Sequence, residues 1–87
     1  MGKSKKLESD EWIIIISKRL KELRKEMGYS SYENFALDHD LDRKQYWRVE
    51  NGSNITIRTL IRILTVHKKG LPEFFKEIKN PKRNISK

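Results

Sequence analysis

The chain has 87 residues with 20 Lys and Arg against 12 Asp and Glu, so its net charge is +8 and its pI about 9.9, a balance that attracts nucleic acid first and an anionic membrane second. This length predicts one small domain with a single core of four or five helices and no separate ligand-sensing domain, which leaves dimerisation, a partner or abundance as the means of regulation. The absence of cysteine excludes disulfides, Cys-ligated zinc and thiol catalysis.

Basic, apolar-poor tails are expected at residues 1–8 and 80–87, flanking a domain over 9–79. The start Met1-Gly2-Lys3-Ser4-Lys5-Lys6 is basic, but the apolar run that follows, Trp12 to Ile16, is short for a signal peptide and far below the roughly 20 residues of a spanning helix. Lys6 stands where a myristoylation signal wants Ser or Thr. The glycosylation-like triplets at Asn51, Asn54 and Asn84 are read as chance matches. A cytoplasmic protein that does not enter membranes is expected.

Apolar residues recur at helical spacing and nowhere alternate with period two for long, so the fold class is all-α. Helix one is predicted from Ser9 or Asp10, with Ile13, Ile16, Leu20, Leu23 and Met27 on its core stripe and Gly28 as its stop. Ser30 with Glu33 three residues on predicts a capping box for helix two, which turns Phe35 and Ala36 inward. Asp42 with Gln45 repeats that logic for helix three, which runs to about Glu50 and ends at Asn51-Gly52. Only Asp38 to Leu41 lies between helices two and three. Helix four is capped by Thr56, carries Ile57, Leu60, Ile61 and Leu64 at i, i+3, i+4 and i+7, and finishes at Lys68-Lys69-Gly70. Leu71-Pro72 opens a short helix five with Phe74, Phe75 and Ile78.

Helix three carries the functional pattern. Tyr46 and Val49 make an inner face, while Arg43, Lys44, Trp47 and Arg48 fall opposite. Arginine offers a bidentate fork to guanine O6 and N7, and lysine reaches the same acceptors or a phosphate. Spacing alone describes an ordinary solvated helix equally well. Trp47 has two readings, a contact to a thymine methyl or sugar edge, or a cover for the side of Tyr46. Asp38-His39-Asp40-Leu41-Asp42 offers a His and three carboxylates, but a tight turn and a capping duty at Asp42 argue against a metal site, and the other His is distant His67. No nucleophile with a paired base, Gly-rich phosphate loop or cofactor motif is present, so neither an enzyme nor a cofactor is expected.

From about Ile13 to Phe75 the chain resembles the Cro and phage-repressor-like helix-turn-helix family, also called XRE-type. The resemblance rests on Ile16-Ser17-Lys18-Arg19-Leu20-Lys21-Glu22-Leu23-Arg24, on Phe35-Ala36, on Arg48-Val49-Glu50-Asn51-Gly52, on Thr59-Leu60 with Ile61 and Leu64, and on Leu71-Pro72-Glu73-Phe74-Phe75. It implies a five-helix domain in which residues 30–52 form the helix-turn-helix and the helix Arg43–Glu50 enters the major groove of double-stranded DNA. It further implies base contacts from Arg43, Lys44 and Arg48, to which the residue pattern adds Trp47. Phosphate contacts are expected from Tyr32, Ser31, Gln45, Ser53 and Asn54, and a structural salt bridge between Arg24 and Glu50. The chain departs from the family where Tyr32 replaces a usual Gln, Asp40 a usual Gly and His39 a usual apolar residue.

The function expected is a sequence-specific transcriptional regulator, a repressor acting as a homodimer on a palindromic site. The surplus apolar residues Trp12, Ile14 and Ile15 of helix one are assigned either to packing under helix five or to that dimer. Two alternatives remain at this stage: an antitoxin-type protein that represses its own operon while binding a toxin, and a helical protein-interaction module without DNA binding.

Overall fold

A computed structural model describes the backbone of residues 2–78 and the side chains of residues 10–78. The described residues form five helices and no strand: α1 (Gly2–Glu26), α2 (Tyr32–Asp38), α3 (Arg43–Glu50), α4 (Ile57–Val66) and α5 (Leu71–Glu77). The chain is therefore all-α.

Short polar side chains set most of the helix starts. The Asn34 N–H donates to Ser31 Oγ at 3.2 Å, the Gln45 N–H to Asp42 Oδ1 at 3.0 Å and the Thr59 N–H to Thr56 Oγ1 at 3.1 Å. Each bond satisfies one N–H that the first helical turn leaves without a partner. Asp42 and Thr56 are the caps predicted. The cap of α2 is Ser31, one residue beyond the predicted Ser30, so the Ser30–Glu33 box does not form. Gly70, expected as the end of α4, is the N-cap of α5, and its N–H donates to Glu73 Oε1 at 3.3 Å.

The first helix is longer than its capping signals indicate. Neither Ser9 nor Asp10 begins it; the helical backbone reaches Gly2, into the segment expected as a tail. No Pro or Gly interrupts residues 3–26. The C-terminal tail at 80–87 lies outside the described residues.

Three helices close with the same pair of backbone bonds. After α1, the Gly28 N–H donates to Lys25 O and the Tyr29 N–H to Arg24 O; after α2, Asp40 donates to Leu37 O and Leu41 to Ala36 O; after α4, Lys68 donates to Thr65 O and Lys69 to Leu64 O. After α3, Ser53 donates to Arg48 O at 3.0 Å. These are Schellman closures, in which the residue after the cap turns left-handed. That residue is Gly28 (φ 97°), Asp40 (φ 58°), Gly52 (φ 88°) and Lys68 (φ 58°). Asp tolerates this region better than most residues, whereas Lys adopts it at a steric cost.

The described residues group into two compact units, which meet in the chain between Ile55 and Thr56. In the first unit α3 packs against both α1 and α2. Its buried apolar residues are Leu20, Leu23, Phe35, Ala36, Tyr46 and Val49, joined by Ser17 and Arg24. Phe35 lies with its ring 5.0 Å from Tyr46 and 5.3 Å from Tyr29. The predicted stripe of α1 holds at Leu20 and Leu23, but Ile13 and Ile16 are half-buried and Met27, past the last helical turn, is exposed. In the second unit Leu60, Ile63, Leu64 and Phe74 are buried, while Ile57 and Ile61 are exposed. The inward face of α4 is therefore turned toward Ile63, away from the predicted Ile57–Ile61 edge.

The left-handed positions give a direct test. A Cβ on Gly28 would meet no atom within 4 Å, so Gly28→Ala should cost about 1 kcal/mol from backbone strain alone. Lys68→Gly should stabilise by about 0.5–1 kcal/mol, the relief of strain less the added freedom of the unfolded chain. Thermal or urea melts of the two variants check both signs.

Candidate functional site

The most firmly held element of the first unit is α3. Its last residue, Glu50, accepts two hydrogen bonds from Arg24 on α1, from Nε at 2.8 Å and from Nη2 at 2.9 Å. Arg24 Nη1 donates to the Tyr29 carbonyl at 2.8 Å, and both charged side chains are only 4% exposed. A bidentate charge-assisted pair of this kind fixes orientation as well as distance. The hydrogen bonds it donates to Glu50 hold the Arg24 guanidinium in its charged form, raising its pKa against the opposing effect of burial. Beside the pair the Tyr46 hydroxyl is enclosed without a well-formed hydrogen bond. Burial, with the Glu50 carboxylate nearby, raises its pKa well above the ordinary phenol value.

The two ends of α3 are fixed as well. Asp42 caps its start, and the Asn51 side-chain Nδ2 donates to the Trp47 carbonyl at 2.8 Å. With Tyr46 and Val49 buried behind, the helix presents Arg43, Lys44, Gln45, Trp47 and Arg48, all exposed. Trp47 is 47% exposed, so about half of the indole is open to a ligand. Tyr32, half-buried at the first turn of α2, joins Glu33, Arg43, Lys44, Trp47 and Arg48 around an open recess of about 430 Å³. The sequence-derived residues Arg43, Lys44, Trp47, Arg48 and Tyr32 thus come together on one surface.

The remaining expected phosphate contacts are differently placed. Ser31 Oγ accepts from the Asn34 N–H as a cap, leaving its hydroxyl proton as a donor. The backbone N–H of Ser53, one of the expected phosphate contacts, is spent on the Arg48 carbonyl in the last turn of α3. The Ser53 hydroxyl and the Asn54 side chain are on exposed residues. Gln45 contributes its backbone N–H to the Asp42 cap and keeps its side-chain amide.

At the end of α2 and in the turn after it, Asp38 and His39 have local roles. Asp38 accepts from the Tyr29 hydroxyl at 2.7 Å, and this bond raises the tyrosine pKa. His39, in a position where an apolar residue is expected, stacks its ring 4.8 Å from Phe35 and 5.7 Å from Tyr29, and its Nε2 has no hydrogen-bond partner among the described residues. It serves as an aromatic filler. Among the described residues no cluster of His, Asp and Glu is arranged to hold a metal ion, and no helix is long and apolar enough to cross a membrane.

One residue on this surface was not singled out by sequence as part of the site. Glu33 Oε2 lies 3.7 Å from Arg43 Nη1, with both side chains more than half exposed. The move of the cap from Ser30 to Ser31 places Glu33 at the second position of α2 rather than in a capping box, and frees its carboxylate to turn toward α3.

Comparison of the chain with protein-family models, curated proteins and solved structures returns no match.

The Arg24–Glu50 pair makes a sharp prediction for stability. Glu50→Ala leaves a buried guanidinium without its counter-charge and should cost about 3–5 kcal/mol in urea unfolding. Exposed Glu22, paired with Arg19 at 3.0 Å one turn away on α1, should cost about 0.5 kcal/mol or less when changed to Ala. Equal effects of the two substitutions would mean that the buried pair does not hold α3.

Proposed function

We propose that this chain is a sequence-specific DNA-binding transcriptional regulator in which α2, the turn at residues 39–42 and α3 act as a helix-turn-helix, with α3 entering the major groove. One observation carries the reading. Arg43, Lys44, Trp47 and Arg48 stand exposed together on the face of α3 opposite buried Tyr46 and Val49, on a helix fixed at both ends. Reading bases requires donors held in a fixed frame, because each misplaced hydrogen bond forfeits its discrimination. A solvated helix with no such duty has no need of a buried ion pair behind its cationic face.

The net charge of +8 supports the same reading, since phosphate neutralisation supplies most of the sequence-independent affinity. The resemblance of residues 13–75 to the Cro and phage-repressor-like family adds to it. Repression by occupancy needs no surface beyond the one that binds DNA, so a repressor working in the cytoplasm is the form proposed. Binding as a homodimer would set two recognition helices about 34 Å apart on an inverted repeat. Ile14, nearly half exposed on α1, is an apolar residue available to that contact. A protein partner of the antitoxin kind is the second reading, and the exposed Ile57 and Ile61 of α4, beside exposed Arg58 and Arg62, are the residues available to it.

Selection of bound duplexes from a random library, followed by titration of variants, tests the proposal. Arg48→Ala should lose about 1–3 kcal/mol of specific binding and relax preference at one base pair. Lys44→Ala should weaken all sequences nearly alike and lower the salt slope by about one if its ammonium serves a phosphate. Enrichment of no sequence by the parent protein, or full affinity in both variants, would overturn the assignment of α3.

A further inference from the structure

A carboxylate on a surface meant for a polyanion is a cost unless it has a task. Glu33 lies on α2, outside the recognition helix, yet it lines the recess with Tyr32, Trp47 and Arg48 and also a neighbouring open recess with Leu37 and Leu41. Arg43 and Lys44 line both as well. The Glu33–Arg43 pair is thus common to the two hollows that a DNA edge would fill. In water an exposed pair at 3.7 Å adds little to stability. Its effect on direction is larger: the contact uses Arg43 Nη1 and leaves the Nε–Nη2 edge of the fork for a ligand. Once DNA displaces solvent from the recess, the attraction across the pair strengthens because the local dielectric falls.

Resting on the DNA-binding reading above, we infer that Glu33 is a specificity-determining positioning residue: it aims the Arg43 guanidinium at one base edge and disfavours binding in which Arg43 swings to a phosphate. A long flexible arginine on an exposed helix turn has two anionic or electronegative targets within reach, the phosphate backbone and a guanine edge. Phosphate contacts carry no sequence information, so an arginine that drifts to them adds affinity and loses discrimination. A carboxylate at this distance opposes this in two ways. It attracts one end of the fork, 3.7 Å away, and it repels the phosphate to which the fork would otherwise turn. Glu33 also sits favourably in the first turn of α2, a purely structural role that would act whether or not Arg43 is present.

The test is a double-mutant cycle on DNA with the full chain. The parent, Glu33→Gln, Arg43→Ala and the double variant are titrated by fluorescence anisotropy against the selected duplex, its single-base variants and an unrelated duplex, at two salt concentrations, with melting temperatures recorded. Glu33→Gln should raise affinity for the unrelated duplex about threefold to tenfold at low salt, through loss of one repulsive charge. It should lower discrimination at a single base pair by about tenfold, the lower range of what a bidentate contact supplies. In the Arg43→Ala background the same substitution should leave discrimination unchanged. Unaltered discrimination in Glu33→Gln overturns the inference while the DNA reading stands. So does an equal loss with and without Arg43, which would make Glu33 a direct base reader. A parent protein that prefers no duplex overturns the DNA reading itself, and the inference falls with it.

Discussion

A guanidinium and a carboxylate, joined by two hydrogen bonds of 2.8 and 2.9 Å and almost sealed from water, tie α1 to the end of α3. Taking either charge out of water alone is expensive, so the arrangement is tolerable only when the partner and the remaining donors are in place. Arg24 meets that condition by giving its third nitrogen to the Tyr29 carbonyl, which binds the turn after Gly28 to the same point. The path of the chain out of α1, the start of the route to α2 and the orientation of α3 are thereby set by one side chain. Tyr46 and Val49 complete the arrangement from the buried side of α3.

The acidic residues of the first unit are largely engaged in building it. Glu50 is buried against Arg24, Asp42 caps α3, Asp38 receives the Tyr29 hydroxyl, and Glu22 and Glu26 lie against Arg19. In the second unit Glu77 accepts from Lys69 at 2.6 Å and Glu73 from the Gly70 N–H. Negative charge is consumed in local structure while Arg43, Lys44 and Arg48 remain on an exposed face. Glu33 is the acidic residue that stays on that face.

Much of the fold was legible wherever a local rule had a single solution. Asp42 followed by Gln45, and Thr56 before an apolar stripe, each offered one cap at one place. Two adjacent serines did not: the Tyr29 N–H and carbonyl are both bound to Arg24, the chain bends at Ser30 and the cap falls on Ser31. The start of α1 was hidden because its first turns are good helix formers without a distinctive cap. The left-handed Lys68 was hidden because a glycine two residues on gave the conventional stop signal. The inward face of α4 was ambiguous since Ile57, Ile61 and Ile63 are equally apolar. At the candidate site the outward cations could be read from helical spacing. Residues 26 apart in sequence leave no such periodic trace, and Arg24 with Glu50 came only from the family resemblance. Glu33 was obscured by a capping motif that it fits on paper.

The closures at the helix ends span five residues or fewer in sequence, whereas Arg24 and Glu50 are separated by 26. Neither charge is buried favourably before the other arrives, so the two close together and open together. Any opening that frees the end of α3 from α1 breaks both hydrogen bonds and exposes both charges at once. The ion pair behind α3 therefore acts as an all-or-none catch on a helix whose other restraints are local.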